Sequence, residues 1–171
     1  MKLLKWLQRT KTHALITGTA EGVSQTLIVE PAVLEHVEKS KQLNTFSTEA
    51  GGQLFGYVNE HEIRVVVATG PYKRDQRGRY HYRSNDISAQ KMIEAFAKDG
   101  LYYLGEWHTH AEDFPTASAS DLDAMHKLLS HSKLNVNGLL MLIVGRSDLL
   151  SGYYIMFFNQ SHSYNWELSR E

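Results

Sequence analysis

The sequence predicts a single mixed α/β domain, with a largely consecutive sheet flanked by helices. Three observations predict it. Apolar stripes at helical spacing alternate with short strand-like runs, residues 139–144 (LLMLIV) are apolar at every position, and only three prolines punctuate 171 residues. A continuous apolar run of that length suits a central strand covered on both faces, and alternating strands and helices must pack as layers.

Taken in order, residues 24–30 (SQTLIVE) read as a strand. Pro31 suits a first helical position, and Val33, Leu34 and Val37 share one face of a helix running to about Gln42. Two strands follow a polar stretch at 44–48, at about 52–58 and 62–68, joined by a tight turn around Asn59 and Glu60. In the second of them Ile63, Val65 and Val67 share a face. Residues 71–85 (PYKRDQRGRYHYRSN) break the pattern as a basic, aromatic loop or irregular strand. A second helix spans about Asp86 to Asp99 on the stripe Ala89, Met92, Ile93 and Phe96, with Gly100 where a C-terminal cap belongs. The next strand, about 101–109, precedes a third helix that begins near Ser118 and turns Leu122, Met125 and Leu129 inward. After 139–144, residues 152–158 (GYYIMFF) form another strand, and the tail from Tyr164 adds an edge.

A chain of this length supports one domain with a substantial core, so 1–171 is read as one unit. The formal net charge of −1 gives no general attraction to nucleic acid or to acidic membranes. With no cysteine, disulfides, thiolate-bound zinc and thiol nucleophiles are excluded. Residues 1–12 form a basic amphipathic extension in which Lys5 interrupts the apolar cluster Leu3, Leu4, Trp6 and Leu7 too early for a signal peptide. Such a segment is expected to pack on its own domain or to fray. No stretch approaches the length of a membrane span, so a soluble, cytoplasmic protein is expected.

The chemistry concentrates in residues 106–121, EWHTHAEDFPTASASD. His108 and His110, two apart on an extended segment, point to one face. Asp121, arriving from the next element, can close a three-ligand site. Two imidazoles and a carboxylate suit zinc and leave a fourth position for water, as a catalytic site requires. Ser118 and Asp121 also read as a helix capping pair, which needs no metal. A zinc hydrolase needs a base besides its ligands. Glu106, on the same strand face as His108, and Glu49, ahead of Gly51-Gly52, both qualify on residue type and spacing.

EAGGQLFG at 49–56, HTH at 108–110, Ser118 and Asp121 closely resemble the signature of the JAMM (MPN+) zinc metalloproteases. The likeness spans a family core at 24–158 and implies the MPN/JAB architecture, which is cytidine deaminase-like. It implies one zinc per chain on His108, His110 and Asp121, Glu49 as the base, and Ser118 as the donor that stabilises the developing oxyanion. Glu106 then becomes a residue behind the ligands or a solvated one. Two departures from the family pattern stand out: Ala111 and Ala117 occupy positions that are commonly proline. Neither proline would contribute a ligand, so loop rigidity rather than ligation should change.

Members of that family cleave isopeptide or peptide bonds after the tail of ubiquitin or a ubiquitin-like protein. The GEWHTH form resembles the bacterial branch, whose members can be encoded beside ubiquitin-like activating and conjugating enzymes, including in CBASS antiphage operons. The expected partner is therefore a ubiquitin-like modifier or its conjugate with a target protein, and not nucleic acid. The short segment between His131 and Gly138 leaves no room for a long selecting insertion. Within the basic loop, Arg74, Arg77, Arg79 and Arg83, with Lys73, form the candidate docking surface, where an acidic partner could be held. A solvated charge run is the plainer reading of most of them. The alternatives are a zinc hydrolase of small peptide or amino-acid conjugates and a non-catalytic MPN-type scaffold; scaffold members usually lose the ligands that are intact here.

Overall fold

The computed structural model describes residues 14–171, so the N-terminal extension read at 1–12 lies outside the described residues. Strand β1 (Ile16–Ala20), which the sequence reading missed, pairs with β2 (Val23–Val29). Helix α1 (Pro31–Glu38) starts on Pro31 as expected but ends four residues short of Gln42. Lys41 and Gln42 turn inward instead and bond the carbonyls of distant loops. Lys41 Nζ donates to Ser147 O at 2.9 Å, and Gln42 Nε2 donates to Arg79 O at 2.9 Å.

The expected hairpin is formed by β3 (Gly51–Val58) and β4 (Glu62–Ala68). Its turn is held by the Asn59 side chain, which accepts from the amides of His61 and Glu62 at 2.8 and 3.0 Å. The irregular stretch contains a small second sheet, β5 (Gln76–Arg77) against β6 (Tyr82–Arg83). Asp75 organises it, accepting from the amides of Tyr72 and Asn85 and from the Tyr82 hydroxyl.

Helix α2 (Asp86–Lys98) is capped by Asn85, and Gly100, at φ +79°, closes its end. Its stripe of Ala89, Met92, Ile93 and Phe96 faces the sheet, with Phe96 on the ring of Phe55 at 4.6 Å, yet all four remain half-buried. An open groove beside the helix accounts for that. Strand β7 (Tyr102–Thr109) then crosses beside β3, so the order departs from a consecutive one at the centre of the sheet. Helix α3 (Ala119–His131) buries Met125 and Leu129, while Leu122 is half-buried.

All six residues of β8 (Leu139–Val144) are buried, as a strand covered on both faces requires. Leu140, Leu142 and Val144 join the core under α1, whereas Leu139, Met141 and Ile143 join the core under α3. β9 (Tyr153–Phe158) pairs with β8, and β10 (Ser163–Asn165) adds the expected edge beyond it. β11 (Glu167–Arg170) pairs with β1 at the opposite end. The full order is β10-β9-β8-β7-β3-β4-β2-β1-β11, parallel at β7–β8 and β2–β4 and antiparallel elsewhere. Only Trp166 separates the strands at the two ends of that order, so the sheet curls until its edges converge. The mixed α/β sheet with helices is the architecture the sequence predicts. No helix among the described residues is long and apolar enough to cross a membrane.

Candidate active site

Strand β7 divides its side chains between two layers. Trp107 and Thr109 are fully buried on the α1 side, where Trp107 meets the ring of His36 edge-on and donates to Thr69 O at 2.8 Å. Glu106 and His108 point the other way, into a groove of about 840 Å³ between the β5–β6 loop, α2 and α3. His110 follows the strand end, its amide still bonded to Val144 O at 3.0 Å. Asp121 enters from the first turn of α3.

These three converge. His108 Nε2 and His110 Nε2 lie 3.1 Å apart, with Asp121 Oδ1 3.3 Å from the first and Oδ2 3.4 Å from the second. Ligands about 2.0–2.1 Å from a tetrahedral zinc stand about 3.3–3.4 Å from one another, and the two imidazoles, each with a different Asp121 oxygen beside it, come close to that spacing. Two imidazole nitrogens that close, beside a carboxylate, also need a proton or a cation between them. The site electrostatics say the same. Burial raises the Asp121 carboxyl, but hydrogen bonds with His108 and His110, the His108 charge and the Ser118 bond hold it well below the usual carboxylate range. Burial lowers the His110 imidazole, but the Asp121 hydrogen bond and the charges of Asp121, Glu49 and Glu112 leave it raised. The chemistry of this donor set fits a divalent cation.

Ser118 is the N-cap of α3, and the capping box predicted from its spacing is complete. Its hydroxyl donates to Asp121 Oδ2 at 2.7 Å and its amide donates to the same oxygen at 2.7 Å. The cap therefore also aims a candidate ligand.

Glu49 lines the groove, 6 % exposed, just before β3. Its backbone is clamped from both sides: its amide donates to Gly78 O at 2.7 Å, and Arg77 Nε donates to its carbonyl at 2.6 Å. The next amide, Ala50 N, donates to Thr109 Oγ1 at 3.0 Å, which in turn donates to Gln42 Oε1 at 3.4 Å. Gly52 permits this seating, since a Cβ there would lie 1.8 Å from Thr69 O. Its carboxyl accepts no hydrogen bond from the described residues. Burial pushes it up to about 7, with the His110 charge opposing and Asp121 and Glu112 adding. A dication in the donor set would pull it back down.

Glu106, the other candidate base, sits one pleat behind His108 and is held differently. Its carboxyl accepts from the Tyr103 hydroxyl and from Gln53 Nε2, the latter at 2.9 Å. Burial pushes it up to about 7 against those two bonds. The loop arginines are divided in their contacts. Arg77 braces Glu49, and Arg79 donates to Thr45 O, Asn44 O and the Tyr80 hydroxyl. Arg83 lines the groove with its guanidinium 3.7 Å from Asp86, and Arg74 is exposed. Tyr80 and Tyr82 both line the groove. Sequence reasoning missed Gln42, Gln53 and Thr109. The signal for Thr109 was present, because a residue between two same-face histidines must point to the opposite layer, where a hydroxyl needs a partner.

The chain belongs to the prokaryotic homologs of the JAB domain: the model of that family matches residues 30–158, the stretch that carries every residue of this site. Its relatives include a CD-NTase/cGAS isopeptidase of Escherichia coli (strain TW11681), 31% identical over 129 residues that cover 74% of this chain and 80% of that one. A CD-NTase/cGAS isopeptidase of Pseudomonas aeruginosa (strain BWHPSA011 / Pa011) is 33% identical over 121 residues, covering 69% and 76%. A protein of Desulfitobacterium hafniense, solved in solution, shares the fold with a TM-score of 0.56 at 16% identity, over 83% of this chain and 88% of that one.

Proposed function

We propose that the chain is a zinc-dependent isopeptidase that cleaves after the C-terminal tail of a ubiquitin-like modifier. One observation carries the reading: three converging donors and an unbonded carboxyl, Glu49, meet at the end of an open groove. The names of the relatives support the reaction class, and make a CD-NTase/cGAS conjugate the first substrate to try. A role in antiviral defence, inside the cell, belongs to the same proposal and rests on the resemblance of the GEWHTH form to the bacterial branch.

One zinc per chain on His108, His110 and Asp121 would supply a Lewis acid with a fourth position open to water. The residues do the rest. Glu49, raised by burial and free of hydrogen bonds, takes a proton from the attacking water and hands it to the leaving amine. The Gly78 and Arg77 clamps keep its backbone in place while its side chain swings between those two positions. Ser118 Oγ can turn about one bond from Asp121 towards the substrate oxygen and stabilise its developing charge. The groove accepts the extended tail, with Arg83, Tyr80 and Tyr82 along its wall. Arg74 is left for an acidic surface of the modifier.

The complete donor set argues against a non-catalytic scaffold. Protein purified and dialysed in zinc buffer should hold about one equivalent. It should cut a modifier–target fusion at the modifier's last residue, and Glu49→Gln should keep the zinc and lose the cleavage. Cleavage of dipeptides with fusions left intact would replace this reading with that of a small-conjugate hydrolase.

A further inference from the structure

The floor of the groove is laid in rows by strand register. Gly51, His108 and Ile143 form the row at the donor set, and Gln53, Glu106 and Met141 form the row one pleat further in. The rows are two residues apart, about 6.6–6.8 Å. Glu106 is partly exposed at that floor, and its direction is fixed. Gln53 turns its amide nitrogen to the Glu106 carboxylate because the Tyr72 hydroxyl donates to the other end of the same amide at 2.6 Å. Tyr103 holds the second carboxylate oxygen. Each oxygen has accepted one hydrogen bond and has room for another. Among the described residues no lysine, arginine or histidine pairs with Glu106, and the nearest row partner on β8 is the thioether of Met141.

An extended substrate meets this floor in a defined register. With its scissile carbonyl at the donor set, side chains alternate up and down, and each residue advances the chain about 3.3–3.4 Å. The residue carrying that carbonyl and the residue two before it therefore face the same way, and a tail laid back along β7 from the donor set brings the second over Glu106. We propose that Glu106 is a specificity-determining residue that selects arginine or lysine as the third residue before the scissile bond. The proposal rests on the isopeptidase reading above. It gives Glu106 a task distinct from the base role of Glu49: it meets the substrate side chain and takes no part in moving protons. Arg83 and Lys127 line the same groove, but Arg83 lies against Asp86 and Lys127 is paired with Asp123, so neither cation occupies Glu106.

The test is a set of extended peptides amide-linked to a fluorogenic amine, identical except for arginine, lysine, glutamine or glutamate at that third residue. The zinc-loaded full chain should cleave the arginine and lysine peptides with kcat/KM about tenfold to a hundredfold above the glutamate peptide, chiefly through KM. Glu106→Gln should bring the arginine-to-glutamate ratio near one, and Glu106→Lys should invert it, with zinc content and Tm confirming that each is folded. Equal cleavage by the unaltered chain overturns the proposal and leaves the isopeptidase reading standing. So does a preference that survives Glu106→Gln, or one that follows the second or fourth residue. Peptides left intact while protein conjugates are cut also overturn it, because selection then lies outside the tail. If neither peptides nor conjugates are cut, the isopeptidase reading falls and this assignment falls with it.

Discussion

Trp107 and His108 are neighbours on one strand and belong to opposite layers of the molecule. On the α1 side, Trp107 is fully buried, its ring covered by His36 and its nitrogen satisfied by Thr69 O. On the other side the same strand offers Glu106 and His108 to a groove, and α2 above it leaves its apolar stripe half-buried. One face is closed and contributes stability; the other keeps charged groups apart from water and from one another only in part. The pleat is what allows both, because a period of two separates the residues that must pack from those that must react.

The largest effects should divide cleanly along that line. His108→Ala should abolish zinc uptake and hydrolysis and leave the fold standing, while Trp107→Ala should cost about 3–5 kcal/mol of stability from the cavity it opens. Urea unfolding and zinc content on both variants decide it: equal destabilisation by both would show that the two faces are not energetically distinct. Glu49→Gln comes next, with hydrolysis slowed about a hundredfold to ten-thousandfold and zinc retained. Because Glu49 must be deprotonated to act, and burial pushes it up to about 7, kcat/KM should climb with pH to a plateau near or below neutrality. The climbing limb should vanish in the glutamine variant's residual rate.

A smaller effect distinguishes the layers by their response to pH. Glu106 titrates at about 7 in the folded chain against 4.5 for an ordinary glutamate. Between those values the folded state keeps a proton that the unfolded state has released, so stability falls as pH rises through the window. For this one carboxyl the fall is about 3 kcal/mol at most. Glu106→Gln should flatten it, bringing the zinc-free protein closer to pH-independent unfolding between pH 5 and 8. An unchanged slope would locate the penalty elsewhere, with Glu49 the next group to replace.

What was legible in the sequence follows from how local each signal is. The α3 cap and the β3–β4 hairpin rest on spacings of a few residues and the His108, His110 and Asp121 cluster on a stretch of fourteen, and all three were readable. Helix α1 was read too long because Lys41 and Gln42 fit its pattern but bond loops far along the chain, near Ser147 and Arg79. Strand β1 (ITGTA) carries too little apolar content to announce itself, and its pairing with β2 on one side and the C-terminal β11 on the other explains it. The basic loop could not be sorted by sequence, since nothing local says that Arg77 is committed to the Glu49 carbonyl and Arg79 to Thr45. Residue type and spacing leave Glu49 and Glu106 equivalent and only the resemblance separates them; their hydrogen bonds differ in the same sense, one carboxyl being unbonded and the other held by Tyr103 and Gln53.

The finest test concerns Ser118, where a structural and a chemical role share one hydroxyl. As an N-cap its loss in Ser118→Ala should cost about 1 kcal/mol of stability. The same change frees one of the bonds that aim Asp121, and losing a ligand's orienting partner should weaken zinc binding about tenfold. Ser118→Thr restores a hydroxyl with the same capping geometry and should recover both properties. Ser118→Gly separates them, because glycine caps within a few tenths of a kcal/mol of serine and keeps the amide bond to Asp121 Oδ2, yet has no hydroxyl to donate. If the glycine variant keeps its Tm and loses zinc affinity, the capping box is part of the metal site's construction. If it keeps both, the helix and the backbone amide of residue 118 suffice to aim Asp121, and the serine hydroxyl beside it is a matter of folding.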